Sequence, residues 1–147
     1  MEQRRWIVVG TDFSSVAERA LERAAALASA LGASLACVHA YEDPPGARFE
    51  SDPAPAIRAR LESAVARVGM RFPAVRLECF VRRGAPWDKL ENVASDLGAE
   101  LIVVGCRGEH APAGSSFLGR VVTRIASISN RAVLVVPPED AGASFAA

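Results

Sequence analysis

Three runs constrain this 147-residue chain more than any other feature: Trp6-Ile7-Val8-Val9-Gly10, Leu101-Ile102-Val103-Val104-Gly105 and Ala132-Val133-Leu134-Val135-Val136. Each is short, continuous and β-branched. A strand with one wet face alternates apolar and polar residues. A run without alternation is apolar on both faces, as in a parallel sheet covered by helices on each side. Two more runs complete the set, at 34–40 and 75–81. The run at 75–81 interleaves apolar residues with Arg76 and Glu78, and Arg82 follows it, so it is expected at a sheet edge.

Helical patterns separate the runs. Ser15-Val16-Ala17-Glu18 has the form of a capping box. It opens an alanine-rich segment with Leu21, Leu27 and Leu31 expected inward and Gly32 expected as a left-handed cap. A second helix is expected over about 54–68, with Ile57, Leu61, Ala64, Val65 and Val68 at helical spacing before Gly69. The third opens at Pro86 and carries Leu90, Val93, Ala94 and Leu97 before Gly98. The fourth is expected over about 116–129, with Leu118, Val121, Val122, Ile125 and Ile128. Strand and helix alternate four times before a closing strand. That order implies right-handed crossovers and an α/β, Rossmann-like fold: one open parallel sheet with helices on both faces. The length fits a single domain over 1–147, with a core at about 6–137 and a tail at 138–147.

Charge excludes some functions. Seventeen basic and seventeen acidic side chains cancel, so no cationic face for nucleic acid or anionic membrane is expected. Sixteen of the basic residues are arginine, and Lys89 is the single lysine. Cys37, Cys79 and Cys106 form neither a CxxC nor an even framework, in keeping with a reducing, cytoplasmic compartment. No stretch approaches a membrane span or a signal peptide. Two histidines with no carboxylate cluster argue against a metal site. GxGxxG after the first strand, GxxxxGK[ST] and GxSxG are all missing.

Open parallel sheets bind ligands outside the carboxyl ends of their strands. Two strand ends here carry the residues for that: Gly10-Thr11-Asp12-Phe13-Ser14-Ser15 and Gly105-Cys106-Arg107-Gly108, the latter followed by Gly119 and Arg120. Glycines let backbone amides approach a phosphate, a helix N-terminus adds donors, and arginine adds charge-assisted hydrogen bonds. Asp12 is an acceptor for an amine or a ribose hydroxyl. Each signal also has a structural meaning: Asp12 as a residue favoured by the helix dipole, Gly105 and Gly108 as turn residues, Cys37 and Cys79 as small core residues, His39 as a satisfied structural histidine.

Together these motifs resemble the universal stress protein family over about 6–137. The matching parts are Val8-Val9-Gly10-Thr11-Asp12-Phe13-Ser14, Val38-His39-Ala40, Arg83-Gly84-Ala85-Pro86, Leu101 through Gly108, and Arg131 through Pro137. The resemblance implies strand order 3-2-1-4-5 and a homodimer formed partly through strand 5. For members that bind ATP it implies Thr11, Asp12 and Ala40 around adenine and ribose. It puts Val104 and Gly105 on the cleft floor, and Arg107, Gly108, Gly119, Arg120 and Val121 around the phosphates.

The family's ATP pattern is Gly-x2-Gly-x9-Gly-Ser/Thr. This chain has ten residues between Gly108 and Gly119, and Arg120 in place of the hydroxyl residue. Arg120 then either binds phosphate or plugs the pocket through an ion pair with Glu109 or Asp12. The expected function is a non-enzymatic regulatory module binding an adenine nucleotide, ATP with accompanying Mg, with no catalytic or metal-ligating residue. Its rivals are a protein-interaction module with a degenerate pocket and a slow ATP hydrolase, for which only Glu109 and His110 lie near enough to act as a base.

Overall fold

The computed structural model describes residues 4–43, 46, 51–108 and 118–139. Five strands, β1 (Trp6–Gly10), β2 (Ser34–Tyr41), β3 (Leu77–Arg83), β4 (Leu101–Gly105) and β5 (Ala132–Val136), alternate with four helices. These are α1 (Ser15–Leu31), α2 (Ala54–Gly69), α3 (Pro86–Leu97) and α4 (Arg120–Ile128). The sheet has the order β3-β2-β1-β4-β5, and every neighbouring pair is parallel. The interleaved run therefore does form an edge strand.

The continuous apolar runs have a direct cause. Successive side chains of a strand point to opposite faces, and in β1 and β4 both faces are covered. β5, expected to be covered in the same way, lies at the sheet edge with Ala132 and Leu134 exposed. Ile7, Val9, Leu35, Cys37 and Val103 meet Ala20, Leu21, Ala24, Leu61 and Val65 of α1 and α2 on one side. Val8, Ala36, Val38, Ile102 and Val104 meet Leu90, Val93, Val122 and Ile125 of α3 and α4 on the other. Full burial of one such aliphatic side chain contributes about 1.5–3 kcal/mol. Alanines at 20, 24, 25 and 28, all buried, let α1 lie close on the sheet.

Several boundaries differ from the sequence expectation. The cap of α1 is Ser14, whose hydroxyl accepts from the Ala17 amide at 3.1 Å; Ser15 is already helical, so the capping box does not form. Leu31, expected inward, is 42% exposed, while Ala28 in the same last turn of α1 is fully buried. β3 begins at Leu77, two residues after Val75, and continues to Arg83. α4 begins at Arg120, with Gly119 as an extended N-cap, so Leu118 stands outside the helix and 57% exposed. Residues 116 and 117, where that helix was expected to open, lie outside the described residues, as do Glu109, His110 and 140–147 of the tail. Gly32 and Gly98 end α1 and α3 with φ of 66° and 63°, the left-handed conformation that glycine adopts at least cost.

Candidate functional site

The chain leaves β1 through two side-chain-locked turns. The Phe13 amide donates to Thr11 Oγ1 at 3.1 Å, and the Ser14 amide donates to Asp12 Oδ1 at 3.0 Å. The Thr11 amide meanwhile extends the sheet by donating to the Val38 carbonyl at 2.9 Å. Among the described residues, Phe13 is the one non-glycine with positive φ, at 67°. Such a conformation costs on the order of 1–3 kcal/mol and persists only where surroundings hold it. Here the ring of Phe13 stacks on His39 at 4.5 Å between centroids, and the Arg60 guanidinium lies 4.2 Å from its centroid. Thr11, Phe13 and Arg60 also line a small open cleft between α1 and α2, of about 90 Å³.

His39 secures the same turn from β2. Its Nδ1 lies 2.8 Å from the Thr11 carbonyl, which can only accept, so Nδ1 carries the proton. Burial lowers the pKa of His39 below the usual histidine value, and Arg60 adds to the effect; the Thr11 hydrogen bond and Asp12 oppose it. The folded chain thus favours the neutral ring, while the unfolded chain takes up a proton first as pH falls. Stability should therefore decrease as pH drops below about 6.5, and urea denaturation of a His39→Gln variant should show a shallower decline over that window.

The second half of the site is the junction of β4 and α4. The Cys106 amide donates to the Val136 carbonyl at 2.9 Å, and the Gly119 amide donates to the Cys106 carbonyl at 2.7 Å. A Cβ at Gly119 would stand 3.1 Å from Arg107 Cα and 3.5 Å from the Gly108 nitrogen, so the two glycine segments are in backbone contact. A Cβ at Gly108 would stand 3.0 Å from Asp12 Oδ2, which brings the lips of the β1 and β4 ends together. Gly105 has a packing reason of its own, since a Cβ there would meet Val16 Cγ1 at 2.7 Å.

Helix ends differ in what they offer an anion. α1 is capped by the Ser14 hydroxyl, the Ala54 amide of α2 by Asp52 Oδ1, and α3 carries Asp88 in its first turn. The N-cap of α4 is Gly119, with no side-chain hydrogen bond and no acidic residue in the first turn. Arg120 stands there exposed. Among the described residues no carboxylate pairs with it, and the ion pair with Asp12 that would make it a plug does not form; Glu109 lies outside the described residues.

The expected site residues thus gather at one end of the sheet. Ala40 is the penultimate residue of β2, next to His39 with its Thr11 contact, Val104 is buried beneath, Gly105 ends β4, and Val121 is half-buried in the first turn of α4. Asp12 and Arg107 are half-buried and both are engaged in contacts. Sequence reasoning missed the roles of Phe13 and Arg60. Phe13 stood in a matching motif, but an aromatic residue gives no signal for positive φ, and Arg60 reaches the site only through the packing of α2.

The fold and sequence are shared with known proteins. The model of the universal stress protein family matches residues 3–137. The chain belongs to the universal stress protein family. A relative from Thermus aquaticus, a universal stress protein in the QAH/OAS sulfhydrylase 3′ region, is 36% identical over 133 residues, spanning 88% of this chain and 96% of that one. The crystal structure of a universal stress protein in complex with cAMP is 33% identical, with a TM-score of 0.67 over 94% of this chain and 100% of the other. A universal stress protein family member from Burkholderia pseudomallei is 27% identical, with a TM-score of 0.65 over 93% and 98% of the two chains. No helix among the described residues is long and apolar enough to cross a membrane.

Proposed function

We propose that this universal stress protein is a regulatory module that binds an adenine nucleotide across the carboxyl ends of β1 and β4. The observation that carries this is the first turn of α4, where among the described residues no side chain caps the helix and no acid stands, beside the Gly108–Gly119 backbone contact and Arg120. Free amides and a positive dipole end favour phosphate. The similarity to a family member in complex with cAMP supports the adenine class. Thr11, Asp12 and Ala40 then surround adenine and ribose, Val104 and Gly105 form the floor, and Arg107, Gly108, Gly119, Arg120 and Val121 hold the phosphates. We take ATP, with Mg on its phosphates, as the ligand. The protein's own part is to supply donors and cations, and we assign it no catalytic group.

A cation in a helix's first turn is unfavourable by roughly 0.3–1 kcal/mol. A ligand phosphate offsets that. Arg120→Ser, which restores the family's hydroxyl, should accordingly weaken ATP binding by about 1.5–3 kcal/mol, measured by titration calorimetry. Tighter binding by the serine variant would make Arg120 an obstruction. Extraction of the purified protein tests the proposal itself. Adenine nucleotide released on denaturation supports it, and a protein that neither retains nor takes up nucleotide is a pure interaction module.

We further propose a homodimer through β5 in the cytoplasm. Among the described residues β5 pairs only with β4, and Leu134 on it is 37% exposed. An open apolar edge invites pairing, and a two-fold mate covers it. The three cysteines are unbonded, which suits a reducing compartment.

A further inference from the structure

Cys37 and Cys79 stand directly opposite each other, as register partners across β2 and β3. Partners in register share a face of the sheet. Cys37 is fully buried in the cluster under α1 and α2, and Cys79 packs against that cluster. Neighbouring strands lie about 4.7–4.9 Å apart, inside the roughly 4.4–6.8 Å Cα separation that a disulfide bridges. β3 is an edge strand of the described sheet and Cys79 is half-buried, whereas Cys37 is fully buried, so Cys79 is the more accessible residue of the pair.

We infer that Cys37 and Cys79 form an oxidative modification site, a dithiol that low-molecular-weight disulfides convert into a cross-strand disulfide. The Cys79 thiol gives its proton to water, and the thiolate attacks one sulfur of the reagent. The reagent's S–S bond breaks, and one reagent thiol leaves with a proton. Cys37 then loses its proton and attacks Cys79 Sγ. The mixed disulfide breaks, the second reagent thiol leaves, and the Cys37–Cys79 bond remains. Two protein thiols are oxidised and one reagent disulfide is reduced to two thiols.

The surroundings set the rate. Burial raises the pKa of both thiols, Glu62 raises that of Cys79 further, and Arg58 opposes it. Only thiolate attacks, so the reaction is slow at neutral pH and accelerates as pH rises. The bond ties β2 to β3 around the whole of α2, constraining the unfolded chain and raising the melting temperature. The site is independent of the nucleotide cleft and of its assignment.

The test is to treat the purified full chain with oxidised glutathione across a series of pH values, alkylate the remaining thiols, and map tryptic peptides without reduction. The expected product joins peptide 24–48 to peptide 77–82 with a mass lower by about 2 Da for the two hydrogens lost. It should form faster with rising pH, melt higher than the reduced chain, and persist in a Cys106→Ser variant. A Cys79→Ser variant should leave Cys37 alkylated only after unfolding. The inference is overturned if Cys79 ends as a stable mixed disulfide with Cys37 still a thiol. A bond from either residue to Cys106 or to a second chain, instead of Cys37–Cys79, would equally overturn it.

Discussion

Gly119→Val should lower nucleotide affinity by about a hundredfold, equivalent to ~2.8 kcal/mol. The Cβ alone would stand 3.1 Å from Arg107 Cα, with the Cys106 carbonyl and the Gly108 nitrogen at 3.5 Å. All three are backbone atoms, so no rotamer change makes room; the branched side chain has to push α4 away from the β4 end. That movement separates the amides of α4 from Gly108 and removes the phosphate seat. The sheet itself is untouched, because Gly119 lies outside both core clusters. Far-UV circular dichroism should therefore stay close to that of the parent while calorimetric binding is lost. A folded valine variant with parental affinity would place the phosphates elsewhere.

Leu134→Lys should convert a dimer to a monomer. Leu134 is the better site on β5 for this test because Val133 and Val135 pack partly against the chain's own α3/α4 cluster, and Val136 is buried on the other face. Leu134 is exposed in the single chain, so its replacement costs little folding energy. Lysine on an edge strand discourages strand-to-strand pairing. Sedimentation equilibrium should give the mass of two chains for the parent and one for the variant. A parent at single-chain mass would rule out the β5 interface.

The elements were legible because their periods are unambiguous. β1, β4 and β5 have no polar residue to argue for a wet face, and α3 is bracketed by Pro86 and Gly98. Boundaries failed where two neighbours compete for one role. Ser14 and Ser15 both qualify as a cap, and Glu18 favours Ser15 on sequence; the positive φ of Phe13 delivers the chain so that Ser14 caps instead. Leu118 fits the helical spacing of α4, yet helix begins only after the Gly119–Cys106 hydrogen bond turns the chain.

The site was legible as a set of strand-end residues, since glycines after apolar runs locate the carboxyl edge of a parallel sheet. Its internal supports were not. Phe13 between His39 and Arg60 joins three elements that are distant in sequence. The Cys37–Cys79 pairing depends on the register of β2 against β3, which hydrogen-bonding in the folded sheet sets and no local pattern encodes.

Isothermal titration of the purified chain with ATP, ADP, AMP and cAMP tests the central claim most directly. Saturable binding of at least one of them, at one site per chain and lost in Gly119→Val, is the predicted result. Absence of heat for all four at millimolar ligand, with the chain folded and free of retained nucleotide, would contradict it.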